Sequence, residues 1–260
     1  MTKASICVEM IYTEEPVTRR IDYIEELGFS AFEFWTWANK DIGAIEARIE
    51  SSDLTITNIA GITEQSAPEN LTQAMTNPEQ QSAAVADIES SISIAQRLDC
   101  PFVTVHLGPR QNISYSQMYE SVINGLQAIT TVAEEVGITI LIEPLNWAVN
   151  HNGYFLKKSE AAYKIVEDVN SPALGVLFDI YHQQITEGNI ISNLRQNIEY
   201  IEHIHVADVP GRHEPGTGEL NYENILSAIN DSKYDGYIGF EFTPMRESQS
   251  ALNSIADIIQ

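Results

Sequence analysis

The alternation of short apolar runs with helical stretches constrains the fold of this chain more than any other feature. Eight runs predict strands, at residues 5–11, 31–35, 54–59, 102–107, 139–143, 174–179, 203–207 and 237–242. Most are continuously apolar, which is typical of strands buried on both faces. Helices are predicted between them, at residues 15–27, 41–51, 78–98, 116–136, 159–169, 190–202, 221–230 and 247–259. Ser159 is the expected N-cap of the fifth helix.

This order of elements predicts one α/β domain over residues 1–260, a (β/α)8 TIM barrel. A doubly wound open sheet is the structural alternative, but that fold usually carries a glycine-rich turn after its first strand. Here the first strand is followed by Tyr12-Thr13-Glu14-Glu15, which contains no glycine. The barrel is therefore the favoured architecture.

The charge of the chain restricts its partners. The formal net charge is −23, from 37 acidic and 14 basic residues, so we expect no nucleic acid partner. No apolar run reaches the length of about 18 residues that suggests a membrane span. Residues 1–5 do not resemble a signal peptide, and Cys7 and Cys100 stand in apolar surroundings as expected free thiols, so a cytoplasmic location is predicted. A homo-oligomer is compatible with the sequence, which gives no subunit count.

Four successive strands, the fifth to the eighth, each carry a charged or imidazole side chain near the carboxyl end. These residues are Glu143, Asp179, His205 and Glu241. One such residue alone is more often a salt-bridge partner, but strand ends of a TIM barrel converge on the face that holds active sites. Three carboxylates brought together there would repel each other without a cation. The pattern predicts one divalent metal ion, and these ligands suit Mg²⁺, Mn²⁺ or Co²⁺.

Several segments resemble the hydroxypyruvate isomerase family, within the wider xylose isomerase-like TIM-barrel superfamily of sugar isomerases, epimerases and AP endonucleases of family 2. The most specific are residues 142–146 (IEPLN), 178–182 (FDIYH), 205–208 (HVAD) and 214–222 (EPGTGELNY), and residues 28–35 (GFSAFEFW) also match. The resemblance covers nearly the whole chain. It implies that the same four residues bind the metal, and that Glu143 and Glu241 form a catalytic acid/base pair. It also implies that His182 and Arg212 hold substrate oxygens.

The expected reaction interconverts hydroxypyruvate and 2-hydroxy-3-oxopropanoate, or a similar small hydroxy-carbonyl acid, through an enediolate. Arg212 favours an acid because its planar fork suits a carboxylate. The resemblance also implies an alternative, a ketose 3-epimerase or another sugar isomerase, because His at the position of His205 is usual in the epimerase branch, whereas some hydroxypyruvate isomerases have Gln there. An abasic-site endonuclease would need more metal ligands, and a non-catalytic sugar-binding barrel would not need the four-residue set.

Other residues near the strand ends are candidates for the pocket or its rim. His106 ends the fourth strand and is a candidate substrate-binding residue, whereas His203 is expected to pack inside the barrel. Glu9 and Glu33 are expected to line the pocket or to form salt bridges at its rim. Either Trp35 or Trp37 is expected to form an apolar wall. Glu219 is expected to stabilise its loop.

Overall fold

Eight parallel strands close into a barrel in the computed structural model, which describes residues 3–61 and 74–259. Each strand pairs with the next, and β8 pairs with β1 through Lys3 opposite Tyr237. The strands are β1 Lys3–Cys7, β2 Ala31–Phe34, β3 Thr55–Ala60, β4 Phe102–Val105, β5 Thr139–Ile142, β6 Leu174–Asp179, β7 Ile201–Val206 and β8 Tyr237–Phe240. The predicted (β/α)8 barrel is confirmed. Met1 and Thr2, which belong to the segment compared with a signal peptide, lie outside the described residues.

Helices cover the outside of the barrel. Within the described ranges they are α1 Val17–Glu26, α2 Ile42–Glu50, α3 Gln81–Arg97, α4 Tyr115–Val136, α5 Ser159–Val169, α6 Ile180–Thr186, α7 Ile190–Asn197, α8 Tyr222–Asn230 and α9 Ser248–Ile259. Their apolar faces pack on the outer faces of the strands in one buried core. Among these residues, none of the helices combines the length and the hydropathy that crossing a membrane would need.

Several predicted bounds differ by a few residues from the observed ones, and three differences are the most informative. The helix predicted at residues 190–202 ends at Asn197, because Ile201 pairs with β6 and starts β7. Ser159 is not an N-cap: Lys158 holds that position, and the Ser159 hydroxyl donates to Glu187 Oε1 at 2.7 Å. The first strand ends at Cys7 rather than at residue 11, and the chain then turns.

Helix α6 was not predicted, and it matters for the site. It starts directly after β6 because Asp179 Oδ1 accepts the backbone N–H of His182 at 3.1 Å, which caps the helix. Asp179 is therefore both the end of a strand and the start of a helix. This double role fixes its carboxylate at the carboxyl-terminal face of the barrel.

Candidate active site

The four residues singled out at the ends of the last four strands come together in the structure. One ligand atom from each of Glu143, Asp179, His205 and Glu241 lies within 4.8 Å of the others, and we call this set the four-residue cluster. Asp179 is 1% exposed and the other three are each 5% exposed. Burial at this depth means that the charges of the cluster must be compensated by protein groups or by a bound ion.

The electrostatics of the cluster show how strongly its carboxylates compete for positive charge. Burial raises the pKa of Asp179 to about 7 against the attraction of Arg212, and the charges of Glu143 and Glu241 add to the increase. Burial also acts to raise the pKa of Glu241, but Arg212 and His205 together hold it well below its ordinary value. Burial alone would lower the pKa of His205, yet the carboxylates of Glu33 and Glu241 raise it well above its usual range.

The donor chemistry of the cluster fits a divalent cation. It offers carboxylate oxygens from three residues and one imidazole, a set that suits a hard or borderline metal ion. His205 Nδ1 lies 3.2 Å from Glu241 Oε2, so the imidazole faces the carboxylates with this nitrogen. A cation between these atoms would offset the mutual repulsion of the carboxylates. The residues present could therefore hold a metal ion.

Both carboxylate oxygens of Glu241 are bound by neighbouring side chains. Trp35 Nε1 donates to Oε1 at 2.5 Å, and Arg212 Nη2 donates to Oε2 at 2.5 Å. The Trp35 backbone N–H in turn donates to Glu9 Oε1 at 3.1 Å, and Lys40 forms an ion pair with the same oxygen. Glu9 thus forms the expected rim salt bridge. Trp35 does more than form the predicted apolar wall, because its indole N–H holds Glu241.

His182 is a neutral hydrogen-bond donor toward the cavity. Its Nδ1 accepts the backbone N–H of Asn146 at 3.2 Å and the Asn146 side-chain amide at 2.6 Å, so the ring proton is on Nε2. Burial lowers the pKa of His182 well below its ordinary value, which keeps the ring uncharged. Nε2 lies 3.7 Å from Asp179 Oδ2. The predicted role in substrate binding is compatible with this orientation and stays a prediction.

A cavity of about 300 Å³ opens onto the cluster. The three predicted substrate-binding residues, His106, His182 and Arg212, all line it. His106 Nε2 also lies 3.4 Å from Glu143 Oε2. His151 lines the same cavity and was missed, since nothing in its spacing distinguishes it from an ordinary loop histidine.

The loop that carries Arg212 is organised by a buried carboxylate, that of Asp208, for which the sequence predicts no role of its own. Asp208 accepts the backbone N–H groups of residues 209, 216, 218 and 220 at 2.9 to 3.1 Å. Asp208 itself ends the segment HVAD, and its four acceptor contacts lie within the following glycine-rich stretch. Glu219 also stabilises this loop, through its backbone N–H on Val209 O at 2.7 Å.

Glu33 lies at neither of its two expected positions. It is buried inside the barrel at 2% exposure, with Oε2 2.9 Å from His203 Nε2 and Oε1 2.9 Å from His205 Nε2. Burial acts to raise the pKa of Glu33, but the two imidazoles lower it to about 2. His203 is packed inside the barrel as expected. Trp37 is held elsewhere, by its indole N–H on Ser91 Oγ at 2.9 Å.

The profile of the Xylose isomerase-like TIM barrel family matches residues 21–258. The chain belongs to this family. It is 27% identical over 255 residues to the hydroxypyruvate isomerase of Escherichia coli (strain K12), covering 97% of each chain. It is 38% identical over 130 residues to the 2-oxo-tetronate isomerase of Cupriavidus necator, covering 50% of each chain. The crystal structure of an AP endonuclease, family 2, from Brucella melitensis has the same fold, with a TM-score of 0.93 and 26% identity over 99% of both chains.

Proposed function

We propose that this chain is a divalent-metal-dependent isomerase of a small hydroxy-carbonyl acid, with Glu143 and Glu241 as its acid/base pair. The observation that carries the proposal is the buried four-residue cluster, in which the two glutamates lie beside Asp179 and His205 within 4.8 Å. The relatives named hydroxypyruvate isomerase and 2-oxo-tetronate isomerase support the reaction class. Hydroxypyruvate and 2-hydroxy-3-oxopropanoate are the proposed pair, or a close homologue of it.

Two carboxylates close together suit the transfer of a proton between adjacent carbons. One glutamate removes a proton from the hydroxyl-bearing carbon, which leaves an enediolate. The other glutamate returns a proton to the former carbonyl carbon, and the hydroxyl proton moves to the former carbonyl oxygen. Substrate and product then contain the same atoms and electrons, so no oxidant or reductant is needed.

The groups around the cluster fit the oxygens of such a substrate. A divalent cation held by the cluster would polarise the substrate carbonyl as a Lewis acid, and Mg²⁺, Mn²⁺ and Co²⁺ all suit the donors. His182 offers Nε2–H to a carbonyl or hydroxyl oxygen. Arg212 offers charge and donor hydrogens to a carboxylate.

The size of the cavity and the hydrogen-bond donors in its wall support a small acid over a long sugar. Its volume of about 300 Å³ is at the lower end of the usual range for ligand sites. Arg212, His106 and His151 all line the cavity, so an acid entering it meets several groups that can bind its carboxylate.

Proton transfer tests the proposal directly. The purified protein is treated with EDTA and reloaded with Mn²⁺. It is then incubated in D₂O in three separate experiments: with hydroxypyruvate, with a four-carbon 2-oxo acid, and with a set of ketoses. We expect deuterium to enter the acid at the carbon beside the carbonyl, together with formation of the isomer, both followed by NMR. Turnover of ketoses without turnover of either acid would replace the proposal with a ketose 3-epimerase or another sugar isomerase.

Variants separate the chemistry from the fold. Glu143→Gln and Glu241→Gln should each abolish exchange, because an amide cannot take up the proton, while circular dichroism stays that of the parent. Glu120→Gln is the matched control, since this glutamate is exposed on α4, away from the cavity. Retained exchange in Glu143→Gln would refute the assigned role. Nicking of DNA at abasic sites would instead favour an endonuclease.

A further inference from the structure

A buried polar network lies beneath the four-residue cluster, inside the barrel. Glu33 of β2 contacts His203 and His205 of β7, and β2 and β7 are not neighbours in the sheet. The contacts therefore cross the barrel interior. The Thr57 hydroxyl also donates to Glu33 Oε2 at 3.3 Å and lies 2.6 Å from the hydroxyl of Ser5. Each of these five residues is at most 5% exposed.

Filling the interior of a barrel with such a network costs free energy of folding. Burying a carboxylate costs several kcal/mol even when it is paired, and apolar side chains of similar volume are often as stable or more so. The barrel also has a glycine, Gly239, at a position where a side chain would occupy the space of the network. A Cβ on Gly239 would lie 2.5 Å from both Glu33 Oε1 and His205 Cδ2. Stability alone does not explain this arrangement.

The geometry gives the network a role at the cluster above it. His205 faces Glu33 with Nε2 at 2.9 Å and faces Glu241 with Nδ1 at 3.2 Å. In the metal-free protein both nitrogens of His205 therefore face a carboxylate, Nε2 in an ion-pair contact with Glu33 and Nδ1 in a hydrogen bond with Glu241, and a carboxylate only accepts hydrogen bonds. A cation bound among the carboxylates of the cluster would take the place of the hydrogen on Nδ1, while the carboxylate of Glu33 on the Nε2 side favours a hydrogen on Nε2.

We propose that Glu33, held by His203, is a positioning residue that sets the ring of His205 so that Nδ1 is the nitrogen available to a metal ion. Carboxylate partners of this kind orient metal-binding histidines and increase their basicity. The inference rests on the proposed function, because it takes the four-residue cluster as the metal site. It adds strand β2, which contributes no ligand, to the parts of the fold that determine metal binding.

His203 holds Glu33 in the position that this role requires. Its Nε2 is 2.9 Å from Glu33 Oε2, and its ring packs against Phe102 with centroids 5.8 Å apart. The imidazole thus holds one oxygen of Glu33 and leaves the other, Oε1, beside His205. A glutamine at position 203 has an amide N–H of similar reach, so it is the conservative substitution.

Metal binding without substrate tests this inference. The metal-free protein, Glu33→Gln, His203→Gln and the control Glu120→Gln are titrated with Mn²⁺ by calorimetry and with Co²⁺ by visible absorption. Glu33→Gln should bind Mn²⁺ about 10- to 100-fold more weakly than the parent, which is the usual effect of losing such a partner. Its Co²⁺ spectrum should also change, because the orientation of one ligand changes. His203→Gln should fall between Glu33→Gln and the parent, and the control should match the parent.

The outcomes separate this inference from the proposed function. If Glu33→Gln and His203→Gln fold and both bind Mn²⁺ and Co²⁺ as the parent does, the positioning role is refuted while the isomerase proposal stands. If they bind weakly as expected but the parent turns over no hydroxy-carbonyl acid, the positioning role stands and the proposed reaction falls. A parent that binds neither ion refutes the positioning role. If Glu33→Gln does not fold, the affinity and spectrum of His203→Gln decide.

Discussion

Gly239 leaves a space in the barrel that no other residue could leave, and replacing it should be costly. An alanine Cβ there would meet Glu33 Oε1 at 2.5 Å, His205 Cδ2 at 2.5 Å and Glu33 Cδ at 3.0 Å. Neither side chain can easily retreat, since Glu33 is also held by His203 and both are almost fully buried. Gly239 does not have a positive φ, so the cost of alanine is steric rather than conformational.

The size of the effect follows from these contacts. Forcing an extra methyl group into a packed core typically costs about 1–3 kcal/mol. Because the displaced groups form an ion pair, we expect the upper part of that range for Gly239→Ala, about 2–3 kcal/mol. For a domain of this size, each kcal/mol shifts the Tm by roughly 2–4 °C. The Tm should therefore fall by roughly 4–12 °C.

Thermal unfolding followed by circular dichroism measures this shift in the metal-free protein. Gly43→Ala is the matched control, because Gly43 lies in α2 and, apart from its chain neighbours and the backbone of the helix, the nearest atom to a Cβ there would be Asp41 Oδ1 at 3.5 Å. Alanine at this position, in the first turn of the helix, should leave the Tm unchanged or raise it, because glycine loses more backbone entropy on folding than alanine. A Gly239→Ala protein with the Tm of the parent would refute the reasoning, since it would mean that Glu33 and His205 are not confined as described.

Two further predictions concern the cavity wall and the thiols. Trp35→Phe keeps the aromatic wall but removes the N–H that donates to Glu241. Hydrogen bonds to charged acceptors are worth about 1.5–3 kcal/mol, but water can replace part of this one because Trp35 is 37% exposed. We therefore expect kcat/KM to fall about 10-fold in steady-state assays. An unchanged kcat/KM would show that the indole N–H does not contribute to activity and that Trp35 acts only as an apolar wall. Burial raises the pKa of the Cys7 thiol and raises that of Cys100 to about 12, so iodoacetamide at pH 8 should label neither until the protein unfolds, as read by mass spectrometry. Labelling of the folded protein at the rate of an ordinary thiol would contradict this.

The strands and the four-residue cluster could be predicted because parallel barrels have a simple sequence pattern. Strands buried on both faces are apolar runs, so a charged residue at the end of one is conspicuous. Glu143 after β5 and Asp179 at the end of β6 stand out in this way, and parallel strands bring their carboxyl ends to one face. The order of the strands was therefore enough to predict that these residues lie close together.

Other parts of the site could not be predicted, because they depend on side-chain direction and loop path. Glu9 accepts the backbone N–H of Trp35 and pairs with Lys40, and these contacts hold the segment from which the Trp35 indole reaches Glu241. His151 enters the cavity from a loop that has no periodic pattern. Helix α6 was missed because its N-cap, Asp179, also reads as the last residue of a strand.

The position of Glu33 depends on the closure of the barrel itself. Residues two apart on a strand point to the same side, so His203 and His205 both face the interior at successive levels of β7. In an open sheet those imidazoles would find partners on β6 and β8, the neighbours of β7. Only a closed barrel brings β2 across from β7, and a carboxylate on β2 can then contact both imidazoles at once. The carboxylate of Glu33, which is expected from the sequence at the pocket or its rim, is therefore buried at the centre of the barrel. There it contacts His205 and through it acts on the four-residue cluster.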